Sequence, residues 1–72
     1  MSEKVDARGL SCPQPVLMAM EKMKGMSSGE IVVLVDTQAS KENVSRAVQS
    51  KGWEVNNIQA DGDEFHIHIF KK

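Results

Sequence analysis

The chain has 72 residues, of which 40% are hydrophobic and 26% charged, and this composition is ordinary for a single globular domain spanning residues 1–72. Its formal net charge of −1 argues against direct binding of nucleic acid, because domains that bind nucleic acid usually carry a basic face. One cysteine cannot form an internal disulfide, which excludes a disulfide-stapled secreted scaffold. With no signal-peptide pattern and no long apolar run, we expect a cytoplasmic protein without membrane insertion.

The first third of the sequence predicts a strand, a loop and a helix. Residues 3–7 form a short strand pattern that places Val5 and Ala7 on one face and Asp6 on the other. A loop with a glycine follows, and apolar residues then recur at helical spacing from Pro13 to Lys24. Met18 falls on the opposite side of this helix, so we expect it to be exposed and a candidate contact for a partner.

The middle of the sequence predicts a second strand and a second helix. An unbroken apolar run at 31–35 is mostly β-branched, which is typical of a strand that is central or covered on both faces. Thr37 or Ser40 then caps a helix that runs to about Lys51, and Gly52 ends it. This helix begins at the carboxyl end of a strand, as the first helix does. Thr37 and Gln38 are therefore further candidates for a partner surface beside the first helix.

The last third of the sequence predicts two strands joined by a hairpin. Residues 53–60 alternate between apolar and polar, with Ile58 out of phase, which indicates a bulge. Asp61-Gly62 is a strong hairpin signal. In the final strand, His66 and His68 lie on the polar face, which we expect to be an exposed sheet face. No third ligand is found at suitable spacing, so we expect no metal site.

The element order β-α-β-α-β-β predicts an α/β (α+β) two-layer sandwich. A helical crossover makes the first two strands parallel. The last strand, antiparallel to its hairpin partner, inserts beside the second strand. The prediction is a four-stranded mixed sheet of order 1-2-4-3 with both helices on one face.

The only cysteine, Cys12, precedes two prolines that favour the first turn of a helix. A helix beginning at Pro13 or just after it directs free N–H groups, including that of Gln14, and the positive end of its dipole toward the sulfur. An exposed helix end stabilises an anion by about 0.3–1 kcal/mol, and one pKa unit is worth about 1.36 kcal/mol. We therefore expect a thiol pKa less than about one unit below 8.5, with a small contribution from Arg8.

The motif Asp6-x-x-Gly9-Leu10-x-Cys12-Pro13-x-Pro15 resembles the signature of the TusA/SirA-like family of small sulfur-carrier proteins, and the resemblance extends over the whole chain. It implies that Cys12 accepts sulfane sulfur as a persulfide and relays it to an acceptor protein. The donor would be a cysteine desulfurase or a rhodanese-like protein, with no cofactor on this chain. The sequence departs from some members that serve transfer-RNA thiolation, because Ser11 replaces a basic residue and Gln14 replaces glutamate.

Several residues around the cysteine have structural interpretations beside their place in the motif. Gly9 permits a tight turn, Pro13 and Pro15 fit the start of a helix, and Asp6 is placed to hydrogen-bond the loop at Arg8–Leu10. These residues, with Gln14, are the predicted support for the reactive sulfur.

Two other classes of function remain open at this point. One is a regulatory module that binds RNA or protein, with a fold resembling the C-terminal domain of a translation initiation factor. The other is a monothiol redox protein, since the absence of a second cysteine argues only against dithiol exchange. For the sulfur-carrier hypothesis, we expect a monomer that is a transfer partner rather than a self-sufficient enzyme. The pathway served is transfer-RNA thiolation, cofactor biosynthesis or thiosulfate and sulfur metabolism.

Overall fold

A computed structural model describes residues 2–10 and 14–72, which form a two-layer sandwich of four strands and two helices. In chain order the elements are β1 (Ser2–Asp6), α1 (Gln14–Lys24), β2 (Gly29–Val35), α2 (Gln38–Ser50), β3 (Glu54–Asp61) and β4 (Glu64–Lys71). The predicted order of elements is confirmed. The first strand begins and ends one residue earlier than the sequence pattern indicates.

The sheet has the order β1-β2-β4-β3, as predicted. β1 pairs with β2 in parallel, and β4 pairs antiparallel with both β2 and β3. In the register of the sheet, Val33 lies between Val5 on β1 and Ile67 on β4. β2 is therefore an interior strand, hydrogen-bonded along both sides.

One face of the sheet packs against both helices and forms the core. The strand residues on this face come from alternate positions, as a pleated strand requires. Ile31, Val33 and Val35 are completely buried there. The rest of the buried cluster consists of Val5, Ala7, Ala19, Met23, Val44, Val48, Trp53, Ile67 and Ile69.

The other face of the sheet carries no helix but is less exposed than the sequence suggests. Leu34 points to this face and is only 6% exposed, so the run 31–35 is indeed shielded on both sides at that position. His66 and His68, expected on an exposed face, are both half-buried. Nε2 of His68 is a buried side-chain nitrogen without a hydrogen-bond partner among the residues that the structure describes.

The predicted bulge exists, but it lies before Ile58 rather than at it. The register between β3 and β4 shifts between Val55 and Asn57, so that Asn56 is the additional residue. This shift returns Ile58 to a position opposite Ile67, and because β3 is an edge strand Ile58 stays 38% exposed. At the hairpin, Asp61 pairs with Glu64, and Gly62 adopts the positive φ of +64° that a two-residue turn requires.

The structure decides which of the two candidate residues caps α2. Thr37 has an extended backbone, and its hydroxyl oxygen accepts the Ser40 N–H at 3.1 Å. Ser40 lies within the first turn and is buried.

Replacing Thr37 by alanine removes this hydrogen bond and leaves the Ser40 N–H without its acceptor. We expect the free energy of unfolding to fall by about 1 kcal/mol, which for a domain of this size lowers the melting temperature by about 4–8 °C. Thr37→Ser is the matched control, because serine keeps the hydroxyl and should unfold within about 1–2 °C of the parent in a calorimetric scan. Equal destabilisation by both substitutions would show that the hydroxyl does not act as the cap.

Candidate functional site

The candidate site is the loop that joins β1 to α1 and contains the cysteine motif. The part of this loop before Ser11 is fixed to the carboxyl end of β2 by two hydrogen bonds that backbone N–H groups donate. The N–H of Ala7 donates to the carbonyl of Leu34 at 2.9 Å, and the N–H of Gly9 donates to Oδ2 of Asp36 at 2.8 Å. Gly9 has a φ of +78°, a left-handed conformation that favours glycine. Leu10 then packs against the core.

Ser11, Cys12 and Pro13 lie outside the described residues, so their predicted roles stay predictions. On the other side of this gap, α1 begins at Gln14, in accord with a helix that starts at or just after Pro13. Pro15 is buried in the first turn, and no acidic side chain lies in that turn to oppose the positive end of the helix dipole. The described part of the loop thus ends at Leu10, and the description resumes at Gln14 with the first residue of α1.

The side chain of Asp6 is hydrogen-bonded to the same loop, as predicted. Its carboxylate accepts the backbone N–H of Arg8 at 3.2 Å and two N–H groups of the Arg8 side chain, each at 2.8 Å. These hydrogen bonds, chiefly those of the side chain, lower the pKa of the Asp6 carboxyl to about 2. Asp6 is therefore a charged anchor of the turn at any pH above about 4.

Arg8 also reaches across β2 to the start of β4. Its Nη1 lies 3.1 Å from Oε2 of Glu64, whose other oxygen lies 3.6 Å from Nε2 of His66. Hydrogen bonds to Asp6 and then to Glu64 raise the pKa of the Arg8 guanidinium. The loop is thereby tied to a strand more than fifty residues away in the sequence.

These ion pairs change the expected role of Arg8. Its guanidinium is shared by the carboxylates of Asp6 and Glu64, and a third carboxylate, that of Asp36, holds Gly9. The described charges attached to the loop are thus mainly negative. Arg8 is therefore a brace of the loop, and its predicted small contribution to ionisation of the thiol stays a prediction.

The exposed apolar residue on α1 is not the predicted one. Met18, expected to be exposed, is half-buried and packs against the core, whereas Leu17 is 59% exposed. The reason is the phase of the helix: Pro15, Ala19 and Met23 form its buried stripe at a spacing of four residues, which turns the position of Leu17 outward.

The candidate residues at the start of α2 lie where they were expected, beside the loop. Thr37 and Gln38 are exposed and follow Asp36 directly, and Asp36 is the residue that holds Gly9. Neither Asp36 nor Glu64 was predicted from the sequence as part of the site. The signal for Asp36 was present, because it is the first polar residue after the carboxyl end of a buried strand, whereas nothing in the sequence pointed to Glu64.

In residues 2–10 and 14–72, no group of three or more His, Cys, Asp or Glu side chains is arranged to hold a metal ion. Within the same residues, neither helix has the length and apolar character needed to cross a membrane.

Substituting Asp6 by asparagine removes the carboxylate that Arg8 holds. A carboxyl with a lowered pKa stabilises the folded state above its ordinary pKa of 3.8, and this contribution disappears as the pH falls toward 2. We therefore expect Asp6→Asn to be less stable than the parent by a constant margin above about pH 5 and to converge with it near pH 2, in denaturant titrations at successive pH values. Asp63→Asn, in the hairpin turn, is the matched control and should show no such convergence. A margin for Asp6→Asn that persists unchanged at pH 2 would contradict the ion-pair explanation.

Comparison with known proteins agrees with the motif and the fold. A family model described as sulfurtransferase TusA matches residues 3–71. The sulfur carrier protein TusA of Allochromatium vinosum is 31% identical over 96% of this chain and 92% of its own length. The protein of the same name from Pseudomonas putida is 29% identical over 94% of this chain and 86% of its own. The crystal structure of a SirA-like protein from Desulfitobacterium hafniense superposes with a TM-score of 0.86, at 26% identity over 97% of this chain and 96% of that one. With its motif, its sheet order and these relatives, the chain belongs to the TusA family of sulfur carriers.

Proposed function

We propose that this protein accepts sulfane sulfur as a persulfide on Cys12 and passes it to an acceptor protein. The observation that carries the proposal is the anchoring of the motif loop. Asp6 and Asp36 hold its first residues at the carboxyl end of the parallel strands, and the helix that follows the cysteine begins at Gln14. A single thiol presented on a braced loop is suited to exchange with a second protein.

The proposed transfer is an exchange between two sulfur atoms. The Cys12 thiolate attacks the terminal sulfur of a donor persulfide, and a new S–S bond forms as the S–S bond of the donor breaks. The donor leaves as a thiolate and Cys12 becomes Cys12–S–SH, so that atoms and charge balance. The acceptor's thiolate then removes the outer sulfur by the same step. Neither transfer needs an external oxidant, a nucleotide or a bound cofactor.

The partners are proposed from this chemistry and from the family. The donor is a cysteine desulfurase or a rhodanese-like protein, and the acceptor carries a thiol or an activated intermediate. Thr37 and Gln38 are exposed at the start of α2 and, with the exposed Gln14 at the start of α1, are the proposed contacts. Because the chain has one cysteine, it cannot release sulfur by forming an internal disulfide, so transfer depends on the acceptor.

Intact-protein mass spectrometry tests the central step. After incubation with a cysteine desulfurase and cysteine, or with a rhodanese and thiosulfate, we expect a gain of about 32 Da, one sulfur atom, that dithiothreitol removes. Cys12→Ser is the matched control, since it replaces only the sulfur, and it should gain no mass. A parent protein that stays unmodified with both donors, or an adduct that survives in Cys12→Ser, would refute the proposal.

The rate of alkylation by iodoacetamide tests the state of the thiol. Since the α1 dipole is the main favourable influence, we expect the rate to rise with pH around a midpoint between about 7.5 and 8.5. Arg8→Gln should leave this midpoint nearly unchanged, because the guanidinium is already paired with two carboxylates. A midpoint in Arg8→Gln that rises by a full unit would show that Arg8 ionises the thiol after all.

A further inference from the structure

A groove at the far end of the domain has no part in the chemistry described above. It lies between α1, from Leu17 onward, and the segment that joins α2 to β3, and its volume is about 650 Å³. Its lining includes the apolar side chains of Met20, Met23, Met26 and Trp53. Methionine side chains are flexible and polarizable, and they are common on surfaces that accept amphipathic helices.

The rim of this groove is basic. It is lined by Lys24 on α1, Lys51 directly after α2 and Lys71 on β4, and Glu21 is the single acidic residue among its lining. None of these three lysines forms an ion pair with a carboxylate in the part of the chain that the structure describes. The groove thus concentrates uncompensated positive charge on a protein whose net charge is −1.

Lys71 in the groove and the described part of the motif loop lie at opposite ends of β2. Lys71 pairs with Gly29, the first residue of β2, whereas the loop is bound to Leu34 and Asp36 at the other end of that strand. α1 spans the distance from the end of the loop to Lys24 with 11 residues, about 16 Å. The three lysines therefore lie at the end of the domain that is remote from the loop.

We propose that this lysine groove binds an acidic amphipathic segment of a partner protein. Apolar side chains of the segment would pack on Leu17, Met20 and Met26, and its carboxylates would pair with the three lysines. The exposed Leu17 lines the same groove and extends its apolar surface along α1. The proposal does not depend on persulfide chemistry, because no atom of the cysteine takes part.

Binding can be measured through Trp53, which is the only tryptophan and lies in the groove. The probes are three helical peptides of roughly four turns, free of aromatic residues and identical in their leucine stripe. Their polar positions carry glutamate, glutamine or lysine. We expect the glutamate peptide to shift the Trp53 fluorescence and to bind at least about fivefold more tightly than the lysine peptide, with the glutamine peptide between them. Cys12→Ser should bind equally well, which separates this proposal from the fate of the sulfur-transfer proposal.

Charge-reversal substitutions test whether the peptides bind in the groove. Lys24→Glu with Lys71→Glu should invert the order of the glutamate and lysine peptides. The matched control, Lys4→Glu with Arg46→Glu, makes the same change of net charge away from the groove and should keep the parent's order. Equal affinities for the three peptides would overturn the proposal, as would an inversion in the control variant. Displacement of the glutamate peptide by decanoate at equal or lower concentration would also overturn it, by showing that the groove is a site for small apolar anions.

Discussion

The structure depends on the burial of β2 between β1 and β4. Ile31, Val33 and Val35 have no exposed surface, and each fully buried side chain of this kind stabilises the fold by about 1.5–3 kcal/mol. Because β1 pairs with β2 in parallel, the chain must cross the helical face of the sheet between them. That crossing places the motif loop at the carboxyl end of β1, and α2 starts at the same edge. The position of the site is thus a consequence of how β2 is covered.

The fold could be predicted because its signals are local and agree with one another. The alternation in β4, the β-branched run in β2 and the spacing of apolar residues in α1 each indicate one element and one buried face. The exact cap of a helix and the exact residue on its outer face could not be predicted, because the pattern allowed more than one candidate. The cap of α2 had two candidates. In α1 the buried stripe includes Pro15, and this phase turns Leu17 outward in place of Met18.

The brace of the loop could not be predicted, because it depends on the register of the sheet. Arg8 and Glu64 are brought together by the insertion of β4 beside β2, and no spacing in the sequence encodes that contact. The bulge at Asn56 is similar: the sequence shows that the alternation fails near Ile58, but only the pairing with β4 shows which residue is additional. The exposure of the two histidines was predicted from alternation alone. Alternation does not show that His66 pairs with Leu34 and His68 with Val32 on the neighbouring strand.

The separation of the motif loop from the lysine groove has a consequence for a carrier of sulfur. In the proposed relay, a donor and an acceptor must both reach the same thiol, so they exclude one another at the loop. A contact that involves only the loop ends when the sulfur is transferred, and the next partner must then meet the carrier by diffusion. A partner that also binds the lysine groove would stay attached after the sulfur is transferred. Its effective concentration near the thiol then depends on the reach of its own chain, not on its concentration in solution. The charge around the groove would select which partner gains this advantage, because three lysines with no ion pair among the described residues favour an acidic segment over a neutral or basic one.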